Sequence, residues 1–161
     1  MADISGFVIA IGIISFLLSF AIGANDAANA LATSYGSGAL TLRKLVIIGS
    51  LFEFIGAFFC SGHVAGKLVG SIIEDIDTLN VRMVEQMMLG TSISSFIFNM
   101  AAVIFGMPIS GTHTVIGALI GSGLAAVGAD DINWGRFGLI IASWFVAPIL
   151  SILLCGLIFS A

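Results

Sequence analysis

Thirty-seven consecutive residues, Ile4 to Leu40, contain a single charged side chain, Asp26. As one helix such a run is about 55 Å long, against a hydrocarbon core of about 30 Å. It is too long for a single crossing and too short for two crossings with a connection. The rest of the chain is built in the same way: of 161 residues, 59% are hydrophobic and 9% charged. A soluble domain is typically about a quarter charged, because its surface must face water. An all-α, polytopic membrane protein is therefore expected, with residues 1–161 forming a single transmembrane unit. This composition excludes a secreted disulfide scaffold and a soluble metabolic enzyme. A net charge of −4 with no basic stripe also excludes a nucleic-acid binder.

About five hydrophobic segments can be drawn. The first is interrupted by Gly23-Ala24-Asn25-Asp26-Ala27-Ala28-Asn29, which predicts a broken helix. The next run from Leu45 to Gly66, from Val84 to Gly106, from Pro108 to Val127, and from Phe137 to Ser160. The fourth is short: Thr112 to Val127 makes only about 24 Å of helix. For residues 100–127 a re-entrant hairpin competes with a plain short span. Short, glycine- or proline-interrupted apolar segments are the best sequence pointer to a transporter's binding site. Gly62, Gly66 and Gly70, and likewise Gly117, Gly121 and Ala125, are expected to form helix-packing faces. The first basic residue is Arg43, so no positive leader precedes the first segment, which is expected to stay as a permanent span. If all five segments cross, Lys67, Arg82 and Arg136 oppose Arg43 and Lys44, and a re-entrant fourth segment moves Arg136 across. Neither arrangement specifies an orientation strongly. Cys60 and Cys155 each lie in an apolar run with no motif spacing and are expected to be inert core thiols.

The polar residues inside these segments carry the chemistry. An ionisable group at membrane depth costs roughly 3 kcal/mol on insertion scales and normally has a partner or a task. Asp26, flanked by Asn25 and Asn29 at the Gly23 break, offers amide, carboxylate and backbone oxygens to Na⁺ or a proton. The alternative is a polar plug that bonds neighbouring helices. Glu53, near the midplane of the second segment, is either a coupling acid or a structural hydrogen-bonding group. Pro108-Ile109-Ser110-Gly111-Thr112-His113-Thr114 reads as a helix start, and unpaired amides at such a start bind anions. The hydroxyls of Ser110, Thr112 and Thr114 add donors, Gly111 allows close backbone approach, and no Arg or Lys is nearby, a combination suited to phosphate inside a membrane. His113 has three open roles: anion donor, proton acceptor, or turn brace. His63 is read as structural or interfacial, Asn99 as an interhelical hydrogen bonder, Trp134 as an interface anchor and Trp144 as helix packing. No phosphate-loop lysine, nucleophile elbow or His/Cys cluster is present, so no enzymatic activity is expected and no cofactor.

Four motifs together resemble the inorganic phosphate transporter family of sodium- or proton-coupled permeases. They are Gly23 to Ala30 (GANDAANA), Phe52 to Ala57 (FEFIGA), Pro108 to Gly117 (PISGTHTVIG) and Ser143 to Ser151 (SWFVAPILS). The resemblance implies secondary active phosphate transport from two inverted repeats, of which this chain has the motifs of one, in a multi-pass plasma (inner) membrane protein. It implies that Asn25 and Asp26 serve the coupling ion, Na⁺ or H⁺, to which the reading of the break itself adds Gly23 and Asn29. It further implies that Ser110, Thr112 and the neighbouring amides hold phosphate, with Asp26 serving the charge balance, and the reading of the helix start adds Gly111, His113 and Thr114. Gly111 stands where many members have Ser or Thr, so one hydroxyl donor is absent. The partner is then a second copy, in antiparallel orientation, or a complementary half. Sulfate as substrate, or a non-transporting assembly or sensing module, are the alternative readings.

Overall fold

The structure, a computed structural model, describes residues 6–160. It is all-helical apart from one isolated bridge: α1 (Gly6–Gly36), α2 (Leu42–Ile72), a single 3₁₀ turn (Ile76–Thr78), α3 (Val81–Ile104), α4 (Gly111–Ala126) and α5 (Trp134–Ser160). Four of these, α1, the Leu42–Gly62 part of α2, α3 and α5, are long and apolar enough to cross a membrane, and α4 is not. The side chain of His63 lies outside the described residues.

The break expected at Gly23–Asn29 is absent, and α1 is one continuous helix of 31 residues. The segment holds no proline, one glycine and three alanines, so local propensity favours helix throughout. At about 46 Å, α1 is longer than the hydrocarbon core, a mismatch that tilt or protrusion absorbs. A continuous helix bonds the Gly23 carbonyl internally, so the free backbone oxygen expected there is not supplied.

α3 is the central element, packed most extensively on α1 and α4. It runs parallel to α1, because the Arg82 guanidinium sits 5.3 Å from the Phe7 ring at one end while Asn25 reaches Met107 at the other. α4 returns antiparallel along α3, with Thr91 Oγ1 and Ser122 Oγ 2.6 Å apart. α3 and α4 thus form a helical hairpin whose tip, residues 105–110, meets α1 at Asn25. Eleven residues of α1, Asp26 to Gly36, extend past the tip, about 16 Å of helix. The chain therefore turns back beside the body of α1, as the hairpin reading requires.

At the opposite end, Ile72, Ile73, Met87, Ile116, Leu119, Ile120 and Ile132 form the buried apolar cluster. A two-residue bridge between Ile73 and Ile132 joins the α2–α3 and α4–α5 connections, with Glu74 N–H donating to Asp131 O and Asn133 N–H to Ile72 O, both at 2.9 Å. Asn80 and Asn133 start the helices on either side, their Oδ1 atoms accepting from Arg82 N–H and Arg136 N–H. A Cβ on Gly123 would stand 2.8 Å from Ile73 Cδ1 and 3.0 Å from Ile132 Cδ1. Gly123→Ala is expected to destabilise the fold by about 1 kcal/mol, because only flexible methyl ends must yield. Thermal unfolding in detergent measures this, and an unchanged midpoint would contradict the packing.

Away from this cluster the helices face outward. Every residue from Phe145 to Ser160 is exposed, as are all those from Leu51 to Ser61. Exposed apolar faces of this kind suit lipid, which is as apolar as the side chains themselves. Cys60 and Cys155 lie on these outer faces as free thiols, not in the core as expected, because the runs that contain them are apolar all round and burial in lipid needs no protein partner. The small-residue faces also differ from expectation. A Cβ on Gly62, Gly66, Gly70, Gly117 or Gly121 would meet nothing within 4 Å. The close approaches fall instead at Gly49, Gly111 and Gly123.

Candidate functional site

The hairpin tip is an irregular stretch of backbone inside an apolar bundle, where each polar group needs a partner. Gly106, with φ of 64°, ends α3, and Met107 N–H returns to Ala102 O at 2.8 Å. Pro108 has no N–H to satisfy. Asn25, buried on α1, takes up what is left: its Nδ2 donates to Met107 O at 3.0 Å and its Oδ1 accepts from Ile109 N–H at 3.0 Å. Asn29, one turn along, donates from Nδ2 to Ile109 O at 3.0 Å and to Asn25 Oδ1 at 3.3 Å. The two asparagines thus clamp the tip to α1, the interhelical bonding that one of the two sequence readings anticipated. The Asn25 side-chain oxygen thus accepts twice in this arrangement.

The clamp places the start of α4 against α1. Gly111 is buried, and a Cβ there would stand 3.0 Å from Ile22 Cγ2 and 3.4 Å from Asp26 Oδ2. A side chain there would press on the Ile22 methyl, and the Asp26 carboxylate lies beside the first turn of α4. Ser110 is the N-cap, its Oγ accepting from His113 N–H at 3.4 Å. The amides of Gly111 and Thr112, at the first two helical positions, have no partner within the helix. Thr114 Oγ1 donates to Ser110 O at 3.1 Å, so this hydroxyl is spent locally and not offered as the donor expected of it.

The sequence-predicted residues therefore divide between two faces of α4. Asp26, Asn25, Asn29 and Gly111 gather on the α1 side. Ser110, His113 and Thr114 line a cavity of about 610 Å³ on the α3 side, together with Ser94, Phe98 and Ile109. Thr112 is exposed at the helix end between them. Glu53 is not part of either group. It lines a separate cleft of about 360 Å³ between α1 and α2, with Ala27, Ala30, Leu31 and Ser50.

Sequence reasoning missed five participants. Ser94 and Phe98, which complete the cavity, carry no motif. The backbone of Met107 and Ile109 is held through carbonyl and amide groups that no residue type advertises. Trp144, read as helix packing, stacks on His113 with ring centroids 3.8 Å apart and planes tilted by 31°. Asn99 also departs from expectation: its Nδ2 donates to Ser95 O of its own helix at 2.9 Å. Its Oδ1 and Ser95 Oγ are fully buried without a partner among the described residues.

Residues 22–161, which include the clamp, the hairpin and α5, match the model of the phosphate transporter family. The chain belongs to that family. A relative in Haemophilus influenzae, named as a phosphate permease, is 36% identical over 150 residues, covering 92% of this chain and 36% of the relative. Sodium-dependent phosphate transporter 1 of Mus musculus is 36% identical over 141 residues, covering 85% of this chain and 20% of its own. Among solved structures, a sodium-dependent phosphate transporter superposes with a TM-score of 0.81 at 36% identity, over 89% of this chain and 36% of that one. This phosphate transporter family chain thus spans about a third of the length of the bacterial relative and of the solved structure. Its spans make it a multi-pass integral membrane protein, and members of the family are transporters, not enzymes.

Proposed function

We propose that this chain forms one repeat of a sodium-coupled phosphate transporter, with phosphate held at the start of α4 and the coupling ion at Asp26. The observation that carries the reading is the nearness of the Asp26 carboxylate to Gly111, its Oδ2 only 3.4 Å from where a Cβ on Gly111 would stand. It brings the positive end of α4, with two unpaired amides, beside a negative charge. Phosphate at those amides would repel Asp26: two unit charges about 5 Å apart cost roughly 3 kcal/mol at an effective dielectric near 20. A small cation between them reverses the sign of that interaction. Anion and cation then each need the other, which is coupling by charge compensation. The Gly111 and Thr112 amides, the Ser110 and Thr112 hydroxyls and the His113 imidazole supply donors to the phosphate. The names of the mammalian relatives favour Na⁺ over H⁺.

Glu53, on a cleft that borders the same stretch of α1, is assigned as a second acid for charge movement. The length of the relatives supports a partner repeat, either a second copy or a complementary half, that rocks against this one to alternate access. Gradient-driven uptake of radiolabelled phosphate into proteoliposomes containing only this chain tests both points. Uptake under a Na⁺ gradient is expected if copies complete the site. No uptake under either a Na⁺ or a pH gradient, from folded protein, would leave a complementary half as the required partner. Access of a C-terminal tag from both sides of the membrane is expected for an antiparallel dimer, and a single orientation would exclude it.

A further inference from the structure

Trp144 is the last residue of α5 that is not exposed. Phe137, Ile140, Ile141 and Trp144 form its half-buried stripe, with Phe137, Ile140 and Trp144 against the apolar cluster, and all residues beyond are exposed. The indole does not end that stripe on aliphatic side chains alone. It lies on the imidazole of His113, 3.8 Å between centroids. His113 lines the α3-side cavity with Ser110. Its backbone N–H goes to Ser110 Oγ, and neither ring nitrogen bonds any described residue. One face of the imidazole is thus covered while its edge, with both nitrogens, stays available.

We propose that Trp144 is a positioning residue for the anion, fixing the His113 ring so that its edge meets an oxyanion held at the start of α4. The inference rests on the phosphate reading of that site. An imidazole on an exposed helix surface samples several rotamers, and ordering it at the moment of binding costs affinity. A flat indole with only two side-chain torsions removes that freedom in advance. Four residues on, Pro148 has no N–H, so the Trp144 carbonyl lacks its helical donor. Because the indole lies on the ring whose edge meets the anion, its emission reports filling of the cavity.

The test uses the full chain in nanodiscs with Na⁺ present and Trp134→Phe as background, since the chain has only two tryptophans. Phosphate is titrated by equilibrium binding of the radiolabel and by Trp144 emission. The two curves are expected to share one Kd, and His113→Ala is expected to remove the emission change. Trp144→Leu should weaken phosphate binding about 5-fold, and Trp144→Phe, which keeps an aromatic face, should stay within about 2-fold. A wild-type Kd in Trp144→Leu overturns the positioning role whatever the emission does. Should Trp144→Leu fail to fold, a silent indole in the parent protein, with radiolabel bound, overturns it equally. Absence of radiolabel binding in the parent overturns the phosphate reading itself, and the positioning role with it.

Discussion

Replacing Asp26 by Asn is expected to abolish gradient-driven phosphate uptake while leaving insertion and folding intact. The carboxylate makes no hydrogen bond with a described residue, so the fold loses only its favourable interaction with the start of α4. That interaction is worth about 0.3–1 kcal/mol at a helix N-terminus. Isosteric Asn keeps the shape beside Gly111, where space is already tight. The charge is what disappears, and with it both the repulsion of phosphate and the reason for a cation. Phosphate binding should therefore persist but lose its dependence on Na⁺. Paired radiolabel binding with and without Na⁺, beside uptake in proteoliposomes, reads both effects. Wild-type uptake, or binding that still requires Na⁺, would remove the ion assignment from Asp26.

The second large effect is expected at Asn25. Asn25→Ala removes three hydrogen bonds at once and leaves Met107 O and Ile109 N–H without their partner. A buried backbone group left unpaired costs about 1–3 kcal/mol. Membrane hydrogen bonds average nearer 0.6 kcal/mol, because alternatives are found. A combined loss of roughly 2 kcal/mol is therefore expected. The functional loss should be larger than the thermal one, since the clamp sets where α4 begins relative to Asp26, and misplacing reacting or binding groups by about 1 Å costs on the order of 100-fold. Uptake should fall by about that factor, with a melting point only moderately lowered. Asn25→Asp, which keeps one acceptor but loses the donor to Met107 O, should resemble Ala and not wild type. If Asn25→Ala retains full uptake, the clamp has no bearing on the site.

These two residues also show how far the sequence reaches. Asn25, Asp26 and Asn29 stood out because amides and a carboxylate are costly in an apolar run, and that cost is visible without coordinates. What they bond is not. The sequence reading gave Asn25 and Asn29 both to an ion and, alternatively, to neighbouring helices, and the helix period alone has no means of choosing. The packing of α3 and α4 on α1 supplies the interhelical partners, by presenting a turn whose carbonyls and amide require them. The expected break at Gly23 failed for a related reason. A polar residue in an apolar helix suggests unwinding only if its side chain lacks a partner, and the hairpin tip provides one.

The composition and the spacing of apolar runs by themselves determined an all-helical membrane chain, the approximate limits of five segments and the shortness of the fourth. Those follow from lengths and transfer costs that act residue by residue. Tertiary structure alone decided that α4 folds back along α3, that Gly111 comes beside Asp26, and that Trp144 covers His113. Each of these depends on which faces of separate helices are brought together, and that relation joins residues up to 85 positions apart in a chain whose outward faces are nearly uniform in hydrophobicity.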